Sequence, residues 1–391
     1  MAREFDLIVY GATGFTGRLV AEYLIQAYPP GPETPRWAMA GRSLSKLQDL
    51  RDAIGAPIDT VLMLANADDP VSLAAMCDRT TVVISTVGPY QLYGSDLVAT
   101  CAATGTGYVD LCGEPAWMRH MIDAHHATAQ ASGARIVFSC GFDSIPFDLG
   151  VFTLQKCARA KFGSPAPRVK GRVRVMKGGF SGGTAASLKA TLAAVARDPG
   201  ILGLLTNPFS LSPGFEGPRQ PKGMLPEYDP SIEAWVAPFV MAPINTKNVH
   251  RTNFLLGEAY GADFVYDEMM VAGLGDIGKA AAEAIAKFNP FASDKGPKLG
   301  EGPSREEREN GHYDLLFVGE MPDGSRVEAV VTGDRDPGYG STSKMIAEAA
   351  LCLAHDVAGD GGIWTPGALM GDALRARLET KAGLTFRAGS V

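Results

Sequence analysis

The sequence predicts an α/β protein, in which an N-terminal doubly wound parallel sheet is followed by a second, α+β domain. Strand and helix patterns alternate up to about residue 145, in the order that a parallel sheet requires. Beyond Gly150, alternating segments typical of antiparallel strands replace this pattern. We therefore predict domains at residues 1–150 and 151–391, and leave open whether the C-terminal helices pack back on the first domain.

Composition indicates an ordinary globular protein. The chain has 391 residues, 46% of them hydrophobic and 20% charged, so it can bury a large core. A net charge of −7 without any basic run excludes nucleic-acid binding. The six cysteines and six histidines show no metal-ligand spacing, so we expect reduced thiols and no metal. No secretory signal or apolar run of about 18 residues is present, so we expect a cytoplasmic protein.

Six apolar segments predict the strands of the parallel sheet. They are residues 5–10, 36–40, 59–64, 81–85, 108–111 and 134–139. Helical patterns separate them, for example at 70–77 and 95–103. Ligands of a doubly wound sheet bind at the carboxyl ends of its strands, so we expect the chemistry in the loops that follow the strands.

Three glycines directly follow the first strand. Gly11, Gly14 and Gly17 have the spacing of a tight turn from a strand into a helix. The first glycine permits the turn, the second lets a pyrophosphate approach the backbone, and the third lets helix and strand pack closely. The N–H groups of the new helix face the anion, so the loop predicts a dinucleotide site of the Rossmann type. The other cofactor-binding residues predicted in this loop are Thr13, Phe15 and Thr16.

The end of the second strand indicates which dinucleotide binds. An NAD-binding fold usually has Asp or Glu there, whereas this chain has Gly41-Arg42-Ser43. Arg42 can bind a 2′-phosphate through paired charge-assisted hydrogen bonds, and Lys46 adds a second positive charge. The alternative is a solvated loop arginine. We predict NADP(H) rather than NAD(H), with Arg42, Ser43 and Lys46 at the phosphate.

The loop after the fourth strand contains small residues where the nicotinamide riboside should lie. Tyr90 is the first bulky polar side chain after it. This tyrosine either stacks on the nicotinamide or donates a proton, or it only closes the wall between the domains. The cofactor-binding residues predicted in this loop are Ser85, Thr86, Val87, Gly88 and Pro89.

The sixth strand leads into residues 140–148, which join the two domains. Asp143 and Ser144 lie in this connector, and we expect them to hydrogen-bond the substrate or assist acid–base chemistry. For Asp143, an Asx-turn or a helix N-cap is an equal alternative. One loop earlier, Glu114 is expected to cap the helix that follows Pro115.

The second domain should contain strands, a helix and a hairpin. Residues 169–176 alternate as a strand does, 183–196 are helical, and 313–319 with 326–332 form a hairpin. Residues 180–184 either present N–H groups to a substrate carbonyl or carboxylate, or form an ordinary N-cap.

Two further segments bear on ligands. Residues 199–243 contain nine prolines, so we expect neither a long helix nor a central strand, and we interpret them as a lid rather than a disordered linker. Residues 268–291 have the spacing of an amphipathic helix that faces either the core or a membrane surface. The apolar lid residues expected to suit an apolar ligand are Phe209, Leu211, Phe215, Met224, Leu225, Trp235 and Phe239.

These motifs together resemble the saccharopine dehydrogenase-like oxidoreductases. The resemblance spans nearly the whole chain, and within that group it includes the trans-acting enoyl reductases of mycobacterial glycolipid synthesis and the animal saccharopine dehydrogenase-like protein. It implies the Rossmann fold and NADP(H) binding. Saccharopine itself is not expected as the substrate, because several carboxylates need an arginine cluster and the lid contains only Arg219. The motifs are the glycine loop, residues 40–42, 85–90, 108–114, 141–148 and 333–340.

We therefore expect an NADPH-dependent reductase that delivers hydride to an activated C=C, C=O or C=N bond of a lipid-like enoyl or carbonyl acceptor. Two alternatives stay open. One is a non-catalytic NADP(H)-binding sensor or membrane-associated scaffold, and the other is a saccharopine-type C–N reductase. The expected partner is a small, apolar substrate, with a homodimer and peripheral membrane contact left open.

Overall fold

The computed structural model describes residues 3–31, 34–179, 182–288 and 301–390. The strands in these ranges are β1 (Phe5–Tyr10), β2 (Trp37–Gly41), β3 (Leu62–Leu64), β4 (Thr80–Ser85), β5 (Gly107–Asp110), β6 (Arg135–Val137), β7 (Arg168–Lys177), β8 (Glu227–Asp229), β9 (Ala234–Pro238), β10 (Val265–Gly273), β11 (His312–Glu320), β12 (Arg326–Gly333), β13 (Gly362–Trp364) and β14 (Leu384–Ser390).

The α-helices of the same ranges are α1 (Phe15–Ala27), α2 (Leu44–Ala53), α3 (Pro70–Cys77), α4 (Tyr90–Tyr93), α5 (Ser95–Thr104), α6 (Pro115–Ser132), α7 (Ile145–Phe162), α8 (Gly182–Arg197), α9 (Gly200–Thr206), α10 (Ala242–Leu255), α11 (Gly275–Lys287), α12 (Arg305–Glu309), α13 (Thr342–Leu351), α14 (Pro366–Leu369) and α15 (Gly371–Arg377). Short π-helical segments cover Pro337–Ser341, Cys352–Asp356 and Leu378–Ala382.

The first sheet is parallel throughout, with the strand order β13-β6-β5-β4-β1-β2-β3. All six strands predicted from the sequence are present, in doubly wound order, so the predicted fold class is confirmed. The sequence does not predict the outer strand β13. This strand comes from the C-terminal part of the chain, and its Ile363 lies opposite Ile136 of β6.

Apolar helices cover both faces of this sheet. Leu7 and Val9 of β1 point to one face, where they pack in a core with α1 and α13. Ile8 points to the other face, where α3, α5 and α6 complete a second core. A C-terminal helix, α13, therefore does pack on the first sheet, next to β1, β4 and β5. The boundary near residue 150 stays a prediction.

The second sheet is mixed, with the order β14-β12-β11-β7-β10-β9-β8. Strands β7 and β10 run parallel, and the other neighbours are antiparallel. The predicted strand, helix and hairpin of this region are present as β7, α8 and the pair β11–β12, in which Phe317 lies opposite Ala329. The second, α+β part of the predicted fold is thus confirmed.

The prediction that residues 199–243 contain no central strand is wrong. Strand β9 lies inside the sheet, because it pairs with β10 on one side and with β8 on the other. Its proline, Pro238, occupies the last position of the strand, opposite Met269, where a missing N–H interrupts no further pairing.

The prediction of one amphipathic helix over residues 268–291 is also wrong. Residues 268–273 belong to β10. Buried Glu268 and Met269 both pair with β7, and Met269 also pairs with β9. Helix α11 begins only at Gly275. Residues 289–291 lie outside the described residues.

Helix α11 buries one face and exposes another apolar face. Gly278 and Ala282 are buried, whereas Leu274, Ile277 and Phe288 are 70%, 86% and 72% exposed. Membrane contact through this helix stays a prediction. In the four described ranges, no helix is long and apolar enough to cross a membrane.

Candidate active site

The glycine loop forms an open backbone cradle at the carboxyl end of β1. Gly11 has a φ of +85°, which glycine adopts without strain, and the N–H of Gly14 donates to its carbonyl at 2.9 Å. A Cβ on Gly17 would lie 2.3 Å from the carbonyl oxygen of Gly11, so only glycine allows this packing of helix on strand. The first N–H groups of α1 have no acceptor within the helix. The cradle fits a pyrophosphate.

The other predicted residues of the loop differ in how far their side chains are exposed. Thr13 is exposed, and Phe15 and Thr16 are half-buried in the first turn of α1. The Phe15 ring contacts Tyr339 edge-on at 5.1 Å, and the Arg308 guanidinium lies 5.6 Å above it. The side chain of Phe15 is therefore occupied by the C-terminal part of the chain, which leaves its N–H as the group available to a cofactor.

Two positively charged side chains, Arg42 and Lys46, follow the end of β2. The side chains of Arg42 and Lys46 are exposed and form no hydrogen bond or ion pair with any residue that the structure describes. Ser43 caps α2, because its Oγ accepts from the N–H of Lys46 at 3.4 Å. Because the Gly41-Arg42-Ser43 segment has no Asp or Glu at the end of β2, the pair of cations fits a 2′-phosphate.

The loop after β4 touches the glycine loop. The Thr86 hydroxyl donates to the Tyr10 carbonyl at 3.1 Å, and a Cβ on Gly11 would lie 2.6 Å from the Val87 side chain. Ser85 and Pro89 are buried, whereas Gly88 is exposed. The structure thus brings the predicted cofactor-binding residues to one edge, and their roles toward the cofactor stay predictions.

Tyr90 is committed to the protein interior. Its hydroxyl donates to the carbonyl of Ser85 and accepts from the N–H of Leu111, both at 3.1 Å, and its ring packs 5.7 Å from that of Trp117. Burial raises the pKa of Tyr90 well above its ordinary value. This geometry favours the wall between the ends of β4 and β5, and the catalytic role of Tyr90 stays a prediction.

The prediction that Glu114 caps its own helix is wrong. Its carboxylate accepts from the N–H groups of Tyr90 and Gln91, both at 2.9 Å, so it caps the neighbouring helix α4. The Ser187 hydroxyl of α8 donates to the same carboxylate at 2.9 Å. Glu114 therefore ties the first sheet to the segment that follows β7.

In the connector, Ser144 and Asp143 have opposite environments. Ser144 is buried, and its Oγ accepts from the Nδ2 of Asn248 at 2.5 Å. Asp143 is half-buried as a residue, and its carboxyl has no hydrogen bond or ion pair with the described residues, so neither the Asx-turn nor the N-cap is formed. Burial raises the pKa of Asp143 to about 7. A carboxyl without a partner and with this pKa can exchange a proton at neutral pH.

A cavity of about 660 Å³ lies beside the connector. Phe239 lines the cavity, and its ring packs 5.6 Å from that of Phe147 in the connector. Residues 205–209, 217–224 and 238–247 form most of the wall, so the proline-rich segment does cover a cavity.

Only part of the predicted apolar lining is present. Phe209, Met224 and Phe239 line the cavity. Leu211 is fully buried elsewhere in the core, and Leu225 is 75% exposed. Phe215 and Trp235 are not among the lining residues of this cavity.

The cavity also has polar groups that sequence reasoning missed. Lys247 donates to the carbonyls of Leu205 and Pro243 at 2.9 and 3.1 Å, and burial lowers its pKa to about 8. Glu268 accepts from the Tyr266 hydroxyl at 2.8 Å, and burial, with the charge of Asp143 among smaller causes, raises its pKa well above the usual range. No sequence pattern distinguishes Lys247, because α10 is mostly buried but its apolar residues do not recur with the period of a helix.

Two other expectations concern the N–H groups at residues 180–184 and the absence of a metal site. Helix α8 begins at Gly182, but Phe180 and Ser181 lie outside the described residues, so the N–H groups predicted for 180–184 are not tested. Within the described ranges, no group of His, Cys, Asp and Glu could bind a metal ion.

Comparison with known proteins identifies full-length relatives. The family model described as the saccharopine dehydrogenase NADP-binding domain matches residues 7–137. A Mycobacterium tuberculosis protein with the provisional name trans-acting enoyl reductase is 42% identical, over 98% of this chain and 97% of its own length. A trans-acting enoyl reductase of Mycobacterium leprae is 36% identical, over 96% of each chain. The match to the NADP-binding domain confirms the prediction of NADP(H).

Solved structures share the fold at low sequence identity. Apo saccharopine dehydrogenase (L-Glu forming) of Saccharomyces cerevisiae has a TM-score of 0.55 at 11% identity, over 99% of this chain and 100% of that chain. The homospermidine synthase of Legionella pneumophila in complex with NAD has a TM-score of 0.55 at 9% identity, over 99% and 92% of the two chains. At these identities the likeness shows the fold alone.

Proposed function

The chain belongs to the saccharopine dehydrogenase-like oxidoreductases, among the trans-acting enoyl reductases, and we propose that it transfers hydride from NADPH to an activated double bond of a lipid-like acceptor. Its class, an NAD(P)-dependent oxidoreductase, follows from the family. To this class the proposal adds the acceptor, a lipid-like compound with an activated double bond.

The cavity beside the connector is the observation that supports this acceptor. Its volume of about 660 Å³ lies in the range of small-molecule sites. Phe209, Pro238 and Phe239 give it an apolar wall. Because each buried methylene contributes about 0.8 kcal/mol, such a wall favours an acyl chain over a compact polycarboxylate.

Contacts of the connector with the cofactor edge and with a helix that lines the cavity support this proposal. The Cys140 N–H donates to the carbonyl of Asp110, at the end of β5, at 2.7 Å. Four residues later Ser144 bonds to Asn248 of α10, the helix that also provides Lys247 to the cavity. A residue of the connector can therefore meet both ligands.

Asp143 is the proton donor in this proposal. NADPH, when bound, supplies hydride to one carbon of the acceptor double bond. The other carbon then needs a proton, and the Asp143 carboxyl, which has no partner among the described residues and a pKa of about 7, can give one at neutral pH. Ser144 fixes the connector through Asn248, and Tyr90 fixes the ends of β4 and β5.

A chain-length series tests the acceptor. We expect long-chain enoyl thioesters to oxidise NADPH far more efficiently than short-chain ones, and saccharopine to be a poor substrate. The measurement is the loss of nicotinamide absorbance in steady state, with the NADPH affinity determined in parallel. A flat series would reject the apolar acceptor, and turnover only in the saccharopine reaction would favour the C–N reductase.

The same assay separates the enzyme from a sensor. NADPH binding without turnover on any enoyl, keto or imine compound would support the non-catalytic alternative. We expect Asp143→Asn and Tyr90→Phe each to lower turnover without weakening NADPH binding. Unchanged rates in both variants would reject these residues as contributors to the reaction.

A further inference from the structure

The large cavity has an excess of positive charge. Five ionisable side chains line it, three basic and two acidic: Arg219, Lys222, Lys247, Asp267 and Glu268. Asp267 forms ion pairs with two arginines of β7, and burial raises the pKa of Glu268 well above its usual range, which favours the uncharged form of this carboxyl. The three cations form no ion pair within the part of the chain that the structure describes.

Lys247 is the buried one of these cations. The residue is only 4% exposed, and its ammonium group donates to two carbonyls, of Leu205 and Pro243. An ammonium has three N–H donors, so one remains for a ligand. A buried cation without a counter-charge is costly, because the carbonyl dipoles replace only part of its hydration. An anion in the cavity would remove that cost.

Arg219 and Lys222 add charge of the same sign at the exposed rim of the cavity. The chain as a whole has a net charge of −7, so a cavity lined by three cations that form no ion pair with the described residues departs from the average surface. Its apolar wall and its cations together suit an amphipathic ligand.

We propose that this cavity binds an acyl compound with an acidic group, and that the Lys247 ammonium is the buried anchor for that group. The inference rests on the proposed function only in taking the cavity as the site of the acceptor. Carboxylate and phosphate share the chemistry that the ammonium recognises, since both accept charge-assisted hydrogen bonds.

Binding of decanoate, decyl phosphate and decanol to the full chain tests this, by calorimetry without NADPH. We expect both anions to bind at least about tenfold more tightly than decanol. Tighter binding of decyl phosphate than of decanoate would assign a phosphate ligand, and the reverse order a carboxylate. Decanol binding as tightly as the two anions would overturn the proposal.

Variants locate the anchor. Lys247→Gln keeps N–H donors for the two carbonyls but removes the charge, so the preference for anions should fall below about threefold. Lys247→Arg should keep the preference, and Lys189→Gln, an exposed site on α8 outside the cavity, should not change it. A full preference in Lys247→Gln would overturn the assignment of Lys247.

These outcomes are separate from those of the reductase assay. Selective anion binding without NADPH oxidation would retain this site and reject the proposed reaction. Turnover of enoyl compounds with no difference between anions and decanol would retain the reaction and reject this site. If Lys247→Gln fails to fold, the ligand series on the parent protein and Lys247→Arg still decides whether charge selects the ligand.

Discussion

Charged side chains of the second sheet and of the carboxyl edge of the first sheet differ in whether they are paired. In the second sheet, the guanidinium of buried Arg172 donates to the carboxylates of Asp229 and Asp267 at 2.7 and 2.8 Å. At the carboxyl edge of the first sheet, Arg42 and Asp143 have no hydrogen bond or ion pair with the residues that the structure describes. Arg172 is thus neutralised by the sheet itself, whereas Arg42 and Asp143 have no such partner among the described residues, and we expect a ligand to supply one.

The difference also changes how the carboxyls titrate. Burial alone would raise the pKa of Asp229, but the Ser231 hydrogen bond and the Arg172 charge hold it below the usual range. Burial without a cation raises the pKa of Asp143 to about 7. We therefore expect ligands to bind at the unpaired charges rather than at the ion pairs.

The pH dependence of stability should have opposite signs in the two regions. Asp229 has a lowered folded-state pKa, so its contribution is present above its unfolded pKa and is lost as pH falls. Asp143 has a raised folded-state pKa, so its stability contribution is lost as pH rises from about 4 through about 7.

The largest expected effect is on the stability of the second sheet, which contains the ion pairs of Arg172. Arg172→Met leaves Asp229 and Asp267 buried with less positive charge, and should lower the free energy of unfolding by about 3–5 kcal/mol. Arg174→Met on the same strand removes an exposed pair with Asp314 and should cost less than about 1 kcal/mol. Denaturant unfolding of both variants measures this, and equal losses would contradict the distinction.

The next effect is on the unpaired carboxyl. Asp143→Asn should lower turnover about 10²-fold or more, because an amide cannot give the proton. In the parent protein, turnover should fall as pH rises above about 7, where the carboxyl loses its proton. The pH profile of kcat decides, since loss of a merely structural side chain would leave this upper limb in place.

A smaller effect is expected on cofactor choice. Arg42→Ala should remove most of the preference for NADPH over NADH, a loss of about 1.5–3 kcal/mol, while the free energy of unfolding changes by less than about 0.5 kcal/mol. Arg36→Ala is the matched control, because Arg36 lies just before β2, at its opposite end, and pairs with Asp6. Equal binding of both cofactors to the parent protein would reject the phosphate site.

Local signals explain what could be predicted from the sequence. The glycine spacing fixes the first turn, and the short Pro322-Asp323-Gly324-Ser325 segment closes the hairpin β11–β12 through a hydrogen bond from Met321 to Ser325. Such patterns need only a few neighbouring residues.

Long-range pairing explains what could not. Strand β13 has three residues, too few for a period, and it joins β6 from more than two hundred positions away. The ion pairs of Arg172 join three separate strands of the sequence. Lys247 belongs to a buried helix whose polar side chains bond to carbonyls of distant segments, as Arg251 does with Leu211 and Ile363. No local sequence pattern indicates which distant residues these groups contact.

The smallest expected effect concerns the exposed apolar face of α11, the counterpart of the unpaired charges. Ile277 of α11 is 86% exposed, so Ile277→Ser should change the free energy of unfolding by less than about 0.5 kcal/mol. Ala282→Ser, on the buried face of the same helix, should lower the free energy of unfolding by about 1 kcal/mol or more, because it buries a hydroxyl at an apolar position. If the exposed face meets a membrane, Ile277→Ser should lower cosedimentation with phosphatidylcholine vesicles several-fold, whereas Ala282→Ser should not. A parent protein that stays in the supernatant would reject membrane contact through α11 and leave its core-facing role as the whole explanation of its apolar residues.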